Sequence, residues 1–225
     1  NTNTIGFFAS GNATGTIDLS GANVDALVDL ITLGRGQIQV ATNNRAGDGV
    51  GSLTFGGGTI DANNIQMGIQ YPGQYIAGSV GRGTINVNND AGVGPALLNV
   101  RSNIVMAVQY PISPGTSPNT PDATGSQGTI NVNDGSTVAV AGDIVSGGPG
   151  GGNAIINLNN GGKLDMKPAG DATPGNVSIN VLNTSDGIIT NYGILSLTNI
   201  TFPVGGTLFT VYPGQAIAAA RVGTI

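Results

Sequence analysis

The residues best suited to chemistry in this sequence are a few carboxylates and cations in neighbouring short segments. Asp61, Asp165, Arg101 and Lys163 are types that acid–base attack on a polysaccharide would use. The sequence contains a repeat in which each copy forms one coil of a stack. Asp61 and Asp165 occupy the same position of this repeat with two coils between them, so about 14 Å would separate them. That exceeds the spacing of paired glycosidase carboxylates. Because the chain also lacks His and Glu, we predict no catalytic residues and no enzyme activity.

Metal and phosphate sites have equally weak signals. The segments 47–49 (Gly-Asp-Gly) and 133–135 (Asn-Asp-Gly) resemble fragments of calcium-binding turns, but the nonapeptide of calcium-binding β-rolls does not recur. We interpret them as turns that Asp and Asn side chains stabilise. The Gly-rich segment 147–152 is not followed by Lys-Ser or Lys-Thr, so it is interpreted as a corner loop. With no Cys present, we predict no metal and no cofactor.

The composition favours an all-β protein and excludes several partners. Only 8% of the residues are charged, 39 are Gly, and the 39% that are hydrophobic are mainly Ile, Val, Leu and Ala. β-Branched side chains suit strands, while Gly and Asn suit tight turns. The net charge of −5, without a basic patch, argues against nucleic acid and anionic membranes. No apolar run approaches the roughly 20 residues of a membrane span.

A repeated phrase is the strongest signal in the chain. Gly-Thr-Ile-Asn-Val-Asn occurs at 83–88 and again at 128–133, with looser copies at 15–19, 51–55 and 154–159. A second short segment with apolar residues at i and i+2 follows four of these five copies, and a third such segment also follows four of them. The second segments are 60–62, 98–100, 138–140 and 164–166, and the third segments are 31–33, 65–67, 104–106 and 144–145. Three short strands per repeat predict one three-sided coil.

Stacked coils of this kind form a parallel β-solenoid, which we predict as a single domain over 1–225. The repeat length varies where loops are inserted, near 71–82 and 110–127. Gln-Tyr-Pro follows the third strand in two successive coils, at 70–72 and 109–111, so insertions cluster at one corner. A corner loop leaves the ladder between coils undisturbed.

Stacking also predicts a ladder of polar side chains along the first strands. The polar residue two places after each Thr or Ser would lie above its counterpart in the next coil, and such a row can bond from coil to coil. The predicted row is Asp18, Thr54, Asn86, Asn131 and Asn157, beside an inward row of Ile17, Leu53, Ile85, Ile130 and Ile156.

One segment departs from the repeat. Val24, Leu27, Val28 and Ile31 have helical spacing after Asn23, which could cap a helix. A short helix over 23–30 would cover the first coil and protect its edge. An irregular coil explains the same residues, and both interpretations stay open at this point.

Several phrases resemble the repeats of secreted Gram-negative proteins. They are 29–36 (DLITLGRG), 83–88 (GTINVN) and 156–166 (INLNNGGKLDM), and the similarity covers about residues 15 to 200. They are similar to the autotransporter-associated β-strand-repeat proteins and their relatives that carry a PEP-CTERM sorting tail. The resemblance implies a parallel β-helix exported to the cell surface or secreted, and it implies no catalytic residues.

The two ends of the sequence predict self-assembly. The segment 212–218 repeats the pattern of 71–77, and both lead into Gly-Thr-Ile, which opens a coil at 83–85 and stops at 223–225. We predict that Thr224 and Ile225 meet Ile5, Phe7 and Phe8 of another copy, so that segments 212–225 and 1–10 join head to tail. The alternative is a monomer whose two ends fold back as caps.

Three functions follow in order of preference. The first is a structural subunit of an extracellular filament or surface layer, which binds copies of itself. The second is a surface adhesin or carbohydrate-binding module, for which Tyr71, Tyr75 and Tyr110 in the loops would supply a small aromatic patch. The third is a polysaccharide-active enzyme.

Overall fold

A computed structural model describes residues 2–5, 12–38, 46–70, 80–109, 125–147, 152–166, 175–184, 186–190, 193–201 and 216–217. These ranges form 19 strands and no helix. In this part of the chain, no helix has the length and apolar character to cross a membrane. The all-β prediction is therefore confirmed.

Most strands are short, but a few are long because they continue around a corner of the coil and contribute to two sheets. In the first half of the chain they are β1 (Thr2–Ile5), β2 (Ala13–Leu19), β3 (Val24–Ile38), β4 (Ala46–Gly47), β5 (Gly49–Phe55), β6 (Gly58–Gln70), β7 (Gly81–Val87), β8 (Asn89–Asp90), β9 (Gly94–Val100) and β10 (Ile104–Met106). In the second half they are β11 (Gln127–Val132), β12 (Thr137–Val140), β13 (Ile144–Ser146), β14 (Asn153–Leu158), β15 (Lys163–Asp165), β16 (Val177–Thr184), β17 (Ile188–Thr190), β18 (Ile194–Thr201) and β19 (Ala216–Ile217).

Parallel pairing between successive coils arranges these strands in three sheets, except for the two-residue strands β4 and β8, which pair antiparallel with β3 and β9. Sheet 1 contains β2, β5, β7, β11, β14 and the second halves of β16 and β18. Sheet 2 contains the first halves of β3 and β6, then β9, β12, β15 and β17. Sheet 3 contains β1, the second halves of β3 and β6, then β10, β13, the first halves of β16 and β18, and β19. The prediction of a parallel β-solenoid with three strands per coil is confirmed.

Alternating side chains fill the interior of the solenoid. In β5 and β7, every second residue is buried and the residues between them are half-buried. Inward residues of successive coils lie above one another, as in the fully or almost fully buried row Leu53, Ile85, Ile130, Ile156 and Leu182. The core is therefore a set of aliphatic columns along the solenoid axis, one column for each inward strand position.

Of the two interpretations left open for residues 23–30, the short helix is wrong. Residues 24–28 pair in parallel with 58–62 of β6 and form the first strand of sheet 2. Val24, Ala26 and Val28 pack against the core, whereas Leu27 points outward and is 71% exposed. The helical spacing depended on Leu27, but the inward residues recur with period 2, and a neighbouring coil supplies the ladder bonds that favour a strand.

The corner after sheet 3 requires unusual backbone conformations. Gly34, Gly68, Ala107 and Gly147 follow the last inward position of this sheet in four successive coils, and all have positive φ. At Gly68 a Cβ would overlap the main-chain oxygen of Gln127, so a side chain does not fit there. The left-handed turn redirects the chain toward sheet 1 of the next coil.

Insertions occur mostly at that same corner. The ranges 39–45, 71–79, 110–124 and 148–151, which lie outside the described residues, each separate a sheet 3 strand from the next sheet 1 strand. The predicted insertions at 71–82 and 110–127 extend too far, because β7 begins at Gly81 and β11 at Gln127. In the fifth coil the range 167–174 falls between β15 and β16 instead, so not every insertion uses one corner.

Candidate functional site

The predicted polar row is aligned in the structure. Residue pairing in sheet 1 places Asp18 beside Thr54, Thr54 beside Asn86, Asn86 beside Asn131, and Asn131 beside Asn157. The alignment arises because the repeated phrase gives each sheet 1 strand the same alternation, and a shift of one residue would turn its inward side chains to solvent.

Hydrogen bonds connect four of these five side chains, one hydroxyl and three amides, into a continuous row. Asn86 Nδ2 donates to Thr54 Oγ1 at 2.9 Å, Asn131 Nδ2 to Asn86 Oδ1 at 2.7 Å, and Asn157 Nδ2 to Asn131 Oδ1 at 2.6 Å. Asn183, which the sequence analysis missed, continues the row by donating to Asn157 Oδ1 at 2.7 Å. Each donor points toward the N-terminal end, so the amide ladder has a single direction.

Asp18 occupies the N-terminal end of the row but bonds within its own turn. Its Oδ1 accepts from the Ser20 hydroxyl at 2.6 Å and from the Ser20 main-chain N–H at 3.0 Å. These two bonds, the hydroxyl bond first, lower the pKa of the Asp18 carboxyl from its usual value. The prediction grouped Asp18 with the ladder by position, and the structure gives it different partners.

A second amide ladder, not predicted, runs beside the first. Asn133 Nδ2 donates to Asn88 Oδ1 at 2.8 Å, and Asn159 Nδ2 donates to Asn133 Oδ1 at 2.9 Å. These residues follow the first ladder by two positions in each coil, where the strand enters the turn toward sheet 2. The repeated Asn-x-Asn spacing at the end of the phrase was the signal that could have identified them.

A third row, also missed, braces the corner between sheets 2 and 3. Asn103 Oδ1 accepts from the Asp143 main-chain N–H at 2.7 Å, Asp143 Oδ1 from that of Asn176 at 2.8 Å, and Asn176 Oδ1 from that of Ile194 at 2.9 Å. Ile194 carries no acceptor, so the row ends there. Its sequence signal is an Asn or Asp immediately before the apolar residue that opens the third strand, present in the second to fifth coils.

The residues considered for catalysis do not form a paired-carboxylate site. Asp61 Oδ1 accepts from Arg101 Nε at 2.7 Å and from Asn99 Nδ2 at 3.3 Å, and the bond that Arg101 donates to Asp61 raises the pKa of Arg101. Asp165 lies three coil steps along the same row, beyond Asn99 and Ala139, about 14 Å away. Lys163 precedes Asp165 on β15 and faces outward with it.

The Asp side chains of the two calcium-like turns accept hydrogen bonds from the next coil. Asp48 Oδ1 accepts from the Val80 main-chain N–H at 2.9 Å, and Asp48 Oδ2 lies 3.6 Å from Arg82 Nη1. Asp134 Oδ1 accepts from Asn160 Nδ2 at 3.0 Å in the next coil. Among the described residues, no group of three His, Cys, Asp or Glu could hold a metal ion.

The N-terminal end of the solenoid leaves part of its core uncovered. In the first coil the inward residues of sheets 1 and 2 are only partly buried, whereas those of sheet 3, Ile31 and Leu33, are buried. The partly buried residues are Ile17, Leu19, Val24, Ala26 and Val28. β1 explains this difference, because its residues 2–5 pair with 30–33 of β3 and extend sheet 3 by one strand.

The C-terminal end differs. Leu182 of sheet 1, Ile189 of sheet 2 and Leu195 of sheet 3 are all buried in the sixth coil, and β19 extends sheet 3 beside 194–195. Of the residues predicted to mediate assembly, Ile5 pairs through its backbone with Leu33 of the same chain. Phe7, Phe8, Thr224 and Ile225 lie outside the described residues.

The three parallel sheets and the ladders between coils define the class of this protein as a parallel β-solenoid. Comparisons with protein-family models, curated proteins and solved structures give no match for this chain.

Proposed function

We propose that this protein is a structural subunit of an extracellular filament or surface layer, and that its copies join head to tail. The observation that carries the proposal is the N-terminal end, where five inward apolar side chains of sheets 1 and 2 stay partly exposed. Aliphatic surface at the end of a stacked core is stabilised when another layer of strands covers it.

The backbone at this end supports the same conclusion. Within the described residues, β2 pairs only with β5, and residues 24–28 of β3 pair only with β6. Both strands therefore present an edge to the N-terminal side, and an open edge of a sheet favours pairing with another chain. A second copy offers strands with the same spacing and alternation, because every coil of the solenoid has them.

Export to the cell exterior belongs to this proposal through the resemblance of the repeats to secreted surface proteins. The ladders suit such a role, since side-chain bonds link each central coil to both of its neighbours. The main-chain hydrogen bonds of the described strands protect them from proteolysis, which requires local opening.

Sedimentation velocity over a range of protein concentrations tests the proposal. We expect the full chain to form species that grow with concentration and appear as filaments or sheets in electron micrographs. Ala26→Arg should reduce assembly strongly, because a long cation at the partly buried end blocks the partner while its charge still reaches water. Thr59→Arg, which adds the same charge at an outward position of the next coil, is the matched control and should assemble normally.

A full chain that remains monomeric at high concentration would overturn the proposal. Equal assembly by Ala26→Arg and Thr59→Arg would instead remove the N-terminal end from the contact. Versions that lack residues 1–10 or 212–225 should assemble less than the full chain, since each version lacks one of the two predicted assembly segments.

A second candidate function, glycan binding, is favoured by one surface. The outer face of sheet 1 carries the hydroxyl row Thr16, Ser52, Thr84 and Thr129 beside the amide ladder, without charges in either row after Asp18. Each ladder amide keeps one N–H and one lone pair that its ladder bonds do not use. Binding to a glycan array that Thr84→Lys abolishes would favour this candidate over a purely structural role.

A further inference from the structure

We propose that the joint between subunits continues sheet 1 in register and in one polarity. The last sheet 1 strand of one copy would pair with β2 of the next copy, and its outward residue would extend the row that begins at Thr16. This inference rests on the proposed function and specifies the surface, the partner segment and the alignment.

Burial in the first coil identifies which sheets form the joint. Ile31 and Leu33 of sheet 3 are buried because β1 of the same chain already occupies that edge. The five partly buried residues belong only to sheets 1 and 2. A partner that completes the core must therefore cover sheets 1 and 2, while β1 limits its access to sheet 3.

The side-chain rows of sheet 1 select the alignment. Residue pairing places Thr16, Ser52, Thr84, Thr129, Ile155, Val181 and Asn199 in one row. The first step of this row is a hydrogen bond from the Ser52 hydroxyl to Thr16 Oγ1 at 3.1 Å. A one-residue shift at the joint would turn outward the side chains that should cover Ile17 and Leu19, so the partner strand must keep the same alternation.

Charge selects head-to-tail over head-to-head contact. The first coil, residues 12–38, contains three exposed carboxylates, Asp18, Asp25 and Asp29, and one cation, Arg35, a net charge of −2. Residues 175–225 contain one Asp and one Arg, at 186 and 221, a net charge of 0. Two N-terminal ends facing each other would bring two negative surfaces together, whereas a C-terminal segment is neutral overall.

The absence of Cys from the chain allows a direct test of polarity and register. Three full-length single-cysteine variants are prepared: Thr16→Cys at the N-terminal end, and Asn199→Cys and Thr224→Cys as alternative partners near the C-terminus. Each is oxidised alone and in mixtures, and disulfide-linked dimers are counted on non-reducing gels. Thr14→Cys, exposed on the same strand two residues away, is the register control for Thr16→Cys.

We expect a mixture of Thr16→Cys with one of the C-terminal variants to give about tenfold more dimer than either variant alone or than the Thr14→Cys mixture, because a disulfide requires Cα atoms within about 7 Å. A dimer through Asn199→Cys identifies β18 as the last strand of sheet 1, and one through Thr224→Cys identifies a later strand. Both results support the proposed joint.

Three results would overturn it. Dimers of Thr16→Cys with itself would show head-to-head contact, and equal dimer formation by Thr14→Cys would show a different register. The third result is the absence of all these disulfides, and sedimentation of the same samples then shows whether the protein still polymerises. Polymers would refute the proposed joint but not the filament, whereas monomers would refute both.

Discussion

The first and fourth coils of the solenoid place isoleucines at the same position of one aliphatic column, yet in different environments. Ile130 lies between Ile85 and Ile156 and is 1% exposed. Ile17 has Leu53 on one side and is only partly buried. Residue type and strand alternation are the same, so the number of neighbouring coils determines the burial. The inward apolar side chains of an end coil therefore stay partly exposed even when its backbone is regular, and covering them would stabilise the coil.

The polar row repeats this difference. Asn131 accepts a hydrogen bond from Asn157 on one side and donates one to Asn86 on the other. Asp18, in the first coil, uses its carboxylate within the turn to Ser20. A polar side chain at the end of the stack forms its hydrogen bonds within its own turn, whereas a central one bonds to both neighbouring coils. Central positions should therefore lose more stability on substitution.

The largest effect is expected from a charge in the central column. Ile130→Asp places an unpaired carboxylate in a fully buried position and should destabilise the protein by at least about 4 kcal/mol, enough to unfold it. Ile17→Asp in the same column should cost only about 1–2 kcal/mol, because its carboxylate reaches solvent at the end. Thermal unfolding followed by circular dichroism measures both.

The comparison also separates stability from assembly. Ile17→Asp should fold but no longer polymerise, since the charge lies in the surface that a second copy would cover. Equal destabilisation by the two substitutions would mean that the first coil is as well covered as the fourth, which would remove the basis for the N-terminal joint.

The amide ladder should show a smaller effect. Asn131→Ala leaves Asn157 Nδ2 without its acceptor and Asn86 Oδ1 without its donor, so we expect a loss of about 1–2 kcal/mol. Thr14→Ala, an exposed outward position of the first coil, should stay within about 0.5 kcal/mol of the parent. Urea unfolding checks the pair, and a neutral Asn131→Ala would show that the ladder bonds only replace bonds to water.

The fold was predictable because one phrase repeats with its inward and outward positions intact. The identical copies at 83–88 and 128–133 define the register that the structure shows between β7 and β11. Later coils escaped notice because 181–184 and 199–201 lack the Gly-Thr-Ile opening, although they pair with the same column. The second amide ladder was missed although Asn88 and Asn133 end the two intact copies, because the prediction considered only the polar position two places after each Thr or Ser.

Partnerships at the ends could not be predicted in the same way. Position in the repeat assigned Asp18 to the ladder, but its hydrogen bonds depend on the local turn and on Ser20. The short helix considered over 23–30 was wrong for a related reason, since Leu27 supplied its helical spacing, whereas pairing with β6 makes these residues a strand with Leu27 outward. Contacts between residues far apart in the sequence determine the structure of such segments, and a single sequence does not show which residues make those contacts.

The corner insertion at 110–124 should contribute less to stability than the sheets beside it. Gln109 Oε1 accepts from the Ser126 main-chain N–H at 2.9 Å, and both residues are buried, so this bond closes the base of the insertion. Deleting 113–122 should change stability by less than about 1 kcal/mol, because closing a shorter loop costs little. Gln109→Ala should cost about 1–3 kcal/mol through the unpaired buried N–H.

Calorimetry on the deletion and on Gln109→Ala distinguishes the loop from its base. A deletion that prevents folding would assign a structural role to the insertion itself. If the deletion has no effect while Gln109→Ala is destabilised, the stability of this corner depends on the hydrogen bond between Gln109 and Ser126.

The smallest effect concerns the titration of Asp18. Its pKa is lowered by the Ser20 hydroxyl and N–H, so the folded state binds this proton less readily than the unfolded chain. The resulting stabilisation is present above the unfolded pKa and is lost as the pH falls through the folded one. Ser20→Ala removes the hydroxyl bond and should raise the Asp18 pKa toward its usual value, as measured by carboxyl carbon chemical shifts. Thr54→Val should leave it unchanged, because Thr54 accepts from Asn86; a shift there would place Asp18 in the ladder after all.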